Sequence, residues 1–120
     1  MTELLYHTEI GLPEGFQKPT ERVRIRYGSH ARMEAMKDRY GLIRLPNFLT
    51  LRRMRVIEVG MTNGKVSKIL FRGRLDDTRD LCIVLIPGVD NKPWFCKTVW
   101  VNKNDDKHET LDTTRYEKVA

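Results

Sequence analysis

The sequence predicts an α+β domain in which one N-terminal helix, with room for a second short one, packs on a four- to five-stranded antiparallel sheet. Three observations predict it. Arg22-Val-Arg-Ile-Arg-Tyr27 alternates strictly between charged and apolar side chains, which is the period of a strand. The next stretch, bounded by Ser29 and Gly41, switches to helical spacing. From about residue 54 the period returns to two, with Thr62-Asn63-Gly64 between two such runs as a strong hairpin signal. Strands gathered after a helix place that helix on one face of an antiparallel sheet.

Each element follows in turn. Residues 1–21 hold Gly11-Leu12-Pro13-Glu14-Gly15 and Lys18-Pro19, so they read as an arm without a core of its own. In the 22–27 strand Val23, Ile25 and Tyr27 face one side, and Arg22, Arg24 and Arg26 the other. Ser29 is a good N-cap for a helix over about 30–40, with Gly41 as its stop. Met33, Met36 and Tyr40 make an apolar stripe that core packing explains. Phe48–Arg53 reads as one or two helical turns. Met54–Gly60 and Lys65–Leu75 form the hairpin, with a bulge between Val66 and Ile69. Leu81–Ile86 is apolar on both sides and therefore central in the sheet. Trp94–Asn102 completes the domain at 22–102, and 103–120 is a polar tail.

The chain has 120 residues, enough for one domain. No window approaches the roughly 18 consecutive apolar residues of a membrane helix, and the acidic N-terminus lacks the basic-then-apolar pattern of a secretory signal. A cytoplasmic protein with reduced thiols is therefore expected. The net charge of +6 is unevenly spread. Residues 1–17 carry three acids and no Lys or Arg, whereas residues 18–74 total +11. Thirteen of the 22 basic residues are Arg, the side chain suited to bidentate phosphate recognition. Three arginines on one strand face repel one another, so stability alone does not favour them. They point to a polyanion, nucleic acid or another anionic partner, before a membrane surface, because no basic amphipathic helix occurs.

Few residues carry chemistry by their spacing. The sequence has no phosphate-cradling glycine loop, no Cys-x-x-Cys and no His-Glu-x-x-His, so no metal or cofactor is expected. Cys82 and Cys96 fall on adjacent predicted strands and could be neighbours, but buried free thiols are the simpler reading. His30 stands in the first helical turn after the arginine strand, where a helix N-terminus attracts phosphate, although a lone histidine more often packs or caps. Lys97 lies on an otherwise apolar strand face and must snorkel, pair or reach a site. The sheet face away from the helix, if open, would show Arg72, Arg74, Thr98, Trp100 and Asn102.

The run Arg24-Ile-Arg-Tyr-Gly-Ser-His-Ala-Arg-Met-Glu-Ala-Met-Lys-Asp-Arg-Tyr-Gly41, with Lys97-Thr-Val-Trp-Val-Asn102, resembles small phage and bacterial proteins related to the RelE/barnase-like toxins. Asp106-Lys-His108, Thr110-Leu-Asp112 and Arg115-Tyr116 extend the resemblance over about 22–116. Many such proteins have no assigned function. The resemblance implies a helix-plus-four-strand sheet and, in the better-known branches, metal-independent RNA cleavage. By position His30 would match the helix histidine, Lys97 and Thr98 the last strand, and Arg39 the arginine before the glycine, except that Tyr40 intervenes.

A metal-free endoribonuclease is thus the first expectation. A base takes the 2′-hydroxyl proton, cations hold the phosphorane charge and an acid protonates the leaving oxygen. His30, Lys97, Arg72 and Arg74 would supply this chemistry, while Arg22, Arg24, Arg26, Arg32, Arg52, Arg53, Thr98 and Trp100 would bind the strand. The alternatives are a non-catalytic nucleic-acid-binding protein, or one that grips an acidic protein such as an antitoxin or host factor.

Overall fold

Alternation at 22–27 builds a strand with two unlike sides, and the sheet carries it near one edge. The computed structural model describes residues 2–36, 45 and 47–103. Their elements are β1 (Leu4–His7), β2 (Arg22–Tyr27), α1 (Ser29–Met36), β3 (Phe48–Thr50) and a 3-10 turn (Leu51–Arg53). There follow β4 (Arg55–Thr62), β5 (Lys65–Arg74), β6 (Arg79–Ile86) and β7 (Trp94–Lys103). They make one seven-stranded sheet in the order β1-β4-β5-β6-β7-β2-β3. All neighbours are antiparallel except β2 and β7, which run parallel through Ile25↔Trp94, Arg26↔Phe95 and Tyr27↔Cys96.

This corrects the expected fold class. A seven-stranded mixed sheet with one short helix replaces a helix on four or five antiparallel strands. Leu4–His7 pairs with β4, although its four residues are too few to display a period. Phe48–Thr50 pairs with β2 instead of turning helically, and only Leu51–Arg53 makes a 3-10 turn. In short segments tertiary pairing overrides local propensity.

The helix also differs. Gly28, not Ser29, is its N-cap: the Gly28 carbonyl accepts from the Arg32 N–H at 3.1 Å, and Ser29 is already helical. Met33 and Met36 are 54% and 86% exposed, so the expected core stripe faces solvent, and the helix docks through the small, fully buried Ala31. Tyr40 and the Gly41 stop lie outside the described residues.

Other expectations hold locally. Asn63 and Gly64 take φ of 56° and 74°, as a two-residue hairpin with right-handed twist requires. Ser67 is the extra residue where Gly60↔Lys68 shifts to Met61↔Val66, and β6 is the central strand.

The sheet buries apolar side chains on both faces. One layer holds Val23, Ile25, Tyr27, Val59, Ile69, Phe71, Ile83, Leu85, Cys96 and Val99, covered by Ala31, Leu51, Met54, Leu12 and Phe16. The other holds Ile57, Leu70, Cys82 and Val84, with Trp100 packed against them. Burying each large side chain stabilises the fold by roughly 1.5–3 kcal/mol relative to exposure. Cys82 and Cys96 therefore sit on opposite faces, both as free thiols. No helix among the described residues is long and apolar enough to cross a membrane.

A polar clasp holds the β1 edge. The Glu3 carboxylate accepts from the Ser67 hydroxyl and lies 2.9 Å from the Lys68 ammonium. Burial opposes its ionisation, but the bonds from Ser67 and Lys68 and the charges of Lys68 and Lys97 outweigh that and hold the carboxyl below its usual value. A lowered carboxyl stabilises the fold above the ordinary value of 4.5 and loses that contribution as pH falls through its folded value. The Tm of the native chain should exceed that of Glu3→Gln at neutral pH, and the gap should close on acidification below about pH 4.5. A gap that widened in acid would contradict the clasp.

Candidate nucleic-acid interface

Arg22, Arg24 and Arg26 are exposed while Val23, Ile25 and Tyr27 between them are buried. Core packing of the apolar trio fixes the phase of the strand and forces all three guanidinium groups onto one side. Two of them rest on aromatic rings. The Arg22 guanidinium carbon lies 4.7 Å from the centre of the Phe48 ring, and that of Arg26 lies 5.1 Å from the Phe95 ring. Such contacts are each worth about 0.5–1 kcal/mol at exposed sites.

Pairing supplies the rings. β3 places Phe48 opposite Arg24, and the parallel register places Phe95 opposite Arg26. At Gly28 a Cβ would come within 2.5 Å of Phe95 Cζ, so the bare glycine is what lets that ring lie beside the β2–α1 junction. A guanidinium held over a ring still has N–H groups for phosphate, and its plane can stack on a base.

More cations gather at this edge. Leu51 is fully buried and its N–H donates to the Glu21 carbonyl at 3.0 Å, which anchors the turn carrying exposed Arg52 and Arg53. Lys18 donates to the Arg52 carbonyl at 3.2 Å. Arg32 donates through Nε to the Tyr27 carbonyl at 3.3 Å, at the far end of the strand. The sequence reading missed Lys18, Phe48 and Phe95, whose parts depend on cross-strand neighbours that no local pattern displays.

The residues expected to perform catalysis are not gathered in this way. Arg72 is 2% exposed. Its Nε donates to Asp80 Oδ2 at 2.8 Å and an Nη to the Lys103 carbonyl at 3.0 Å, with Arg55 3.8 Å from the same carboxylate. Arg72 is thus a structural cation inside the sheet, and the donor-rich face expected around it is largely buried, with Asp80 and Asn102 7% and 6% exposed. Arg74 is exposed at the end of β5, which β6 and β7 separate from β2 by three strand spacings, roughly 14 Å. Thr98 and Trp100 are half-buried, Trp100 against the second apolar layer.

Lys97 is the extra residue of a bulge where Val84↔Thr98 shifts to Leu85↔Cys96, so it is exposed instead of snorkelling along an apolar face. His30 is exposed on α1, with Nε2 3.9 Å from Glu34 one turn on. Burial pushes the Cys96 thiol up to about 12, which leaves it protonated and inert. No group of three or more metal-ligating side chains occurs among the described residues. Arg39 and His108 lie outside them.

Comparison with family models, with curated proteins and with solved structures finds no match for this chain. The assignment of a function therefore rests on the arrangement itself.

Removing Arg72 should cost stability, because Asp80 would keep a buried charge with Arg55, 3.8 Å away, as its remaining ion-pair partner among the described residues. Arg72→Ala is expected to lower unfolding free energy by about 3 kcal/mol in urea denaturation. Arg74→Ala, at an exposed position, should change it by less than about 0.5 kcal/mol.

Proposed function

We propose that the protein is a non-catalytic nucleic-acid-binding module that grips a single strand, RNA first, across the β2–β3 edge. The observation that carries this reading is the exposed row Arg22, Arg24 and Arg26 with Phe48 and Phe95 beneath its two ends. Charges alone would attract any polyanion. Guanidinium groups held over rings instead offer planar groups on which unstacked bases can lie, and stacking of a base on an aromatic ring is worth about 1–3 kcal/mol. Binding is favoured over cleavage because phosphoryl chemistry needs acid, base and cations around one phosphate. His30, Lys97, Arg72 and Arg74 lie on a helix, a bulge, a buried ion pair and a distant strand end.

A short labelled RNA should bind with an affinity that falls steeply between about 50 and 200 mM salt. Replacing Arg22, Arg24 and Arg26 together by Gln should weaken binding at least tenfold and flatten the salt slope by about 2, since each lost cation removes roughly 0.7 on a single strand. Undiminished binding by this variant would exclude the module. RNA cleavage in EDTA that disappears in His30→Ala would replace it with the ribonuclease reading, and absence of any RNA shift would turn the search to an acidic protein partner.

A further inference from the structure

Beside the arginine row lies a cleft of about 360 Å³, between the first half of β2 and the loop that precedes β7. Backbone geometry opens it. Ile25 N–H donates to the Asn47 carbonyl and Leu51 N–H to the Glu21 carbonyl, so the odd-numbered residues of β2 bond towards β3. The N–H and C=O groups of Arg22 and Arg24 then point the other way. On that side pairing with β7 begins only at Ile25↔Trp94, which leaves Arg22–Arg24 without a strand partner among the described residues.

The loop closes the opposite wall. Asp90 and Asn91 take φ of 54° and 67°, and the Lys92 N–H donates to the Val89 carbonyl at 3.1 Å. At Gly88 a Cβ would collide with the Lys92 carbonyl oxygen, so the loop folds tightly on itself and brings Lys92 against the strand. Trp94, which packs against the apolar layer of Val23 and Ile25, lines the cleft together with Glu21, Arg22 and Arg24. No ion pair occupies the side chains of Glu21, Arg22, Arg24 or Lys92 among the described residues.

We propose that this cleft is a nucleotide subsite of the bound strand, an inference that rests on the nucleic-acid reading above. The phosphate lies between Lys92 and the first half of β2, in a cleft that Arg22, Arg24 and Lys92 all line. The base lies against Trp94, and Glu21 accepts a hydrogen bond from a base amino group or a sugar hydroxyl. The volume is in the range of small-ligand pockets, about 300–1,000 Å³. Neither ring nor carboxylate is needed to hold a bare anion, so their presence beside the cations argues for a whole nucleotide.

The test is a titration of the full chain with adenosine 5′-monophosphate, followed by NMR at the Trp94 indole N–H and the amides of Arg22 and Lys92. Saturable shifts there, weakened at least fivefold by Lys92→Ala, would support the subsite; Lys92 is exposed, so that variant should keep the fold. Inorganic phosphate giving the same shifts, with the nucleoside adding nothing, would reduce the cleft to an anion site and overturn the proposal. A labelled RNA that binds through the arginine row while the Trp94 and Lys92 resonances stay still would overturn the subsite and leave the module standing. Adenosine 5′-monophosphate bound here by a chain that binds no RNA would remove the module and overturn the assignment of the cleft to a bound strand, leaving a site for free nucleotide.

Discussion

Three residue pairs between β2 and β7 hold the arginine-bearing edge to the rest of the molecule. Through Ile25↔Trp94, Arg26↔Phe95 and Tyr27↔Cys96 the arginine strand joins a sheet that otherwise continues only to β1. Everything on that edge follows from the pairing. It sets Phe95 beneath Arg26, leaves the first half of β2 standing off from the loop before β7, and carries β3 with its basic turn. The partners are about 70 residues apart, so their contact is made against a large loop-closure cost and depends on the buried Ile25 and Tyr27. The arginine face is therefore held in place by the opposite face of the same strand.

The two apolar layers explain why Arg72 and the β2 arginines have different fates. β5 is interior, with strands on both sides and side chains covering both faces, so a cation there must be paired and hydrogen-bonded. β2 lies one strand from the edge, and only its Val23, Ile25, Tyr27 side is covered. Identical residue types at identical strand spacing thus serve as a core ion pair in one place and as a solvent-facing row in the other.

Sequence alone made the long, regular segments legible. The alternation of β2, the Asn63-Gly64 turn, the bulge at Ser67 and the central position of β6 all rest on local chemistry. So did the arginine row, because a run of like charges needs only the period of a strand to be placed on one face. β1 and β3 were illegible, since four and three residues carry no period and pair only with distant strands. The bulge at Lys97 altered the phase of β7 and with it the side chains expected beside that lysine. Arg72 could not be told from Arg74 without knowing that Asp80 lies across from their strand.

The strand order also gives the molecule an electrical direction. β1, from the segment of residues 1–17 that has three acids and no cation, occupies one margin of the sheet, while β2, β3 and their arginines occupy the other. Among the described residues the arginines of β2 and of the turn after β3 thus gather at one margin, while β1 at the other carries no Lys or Arg. In the field of a polyanion such a body turns before it touches, leading with its arginine margin. Productive encounters then become more frequent than the net charge would allow, by an effect that added salt removes.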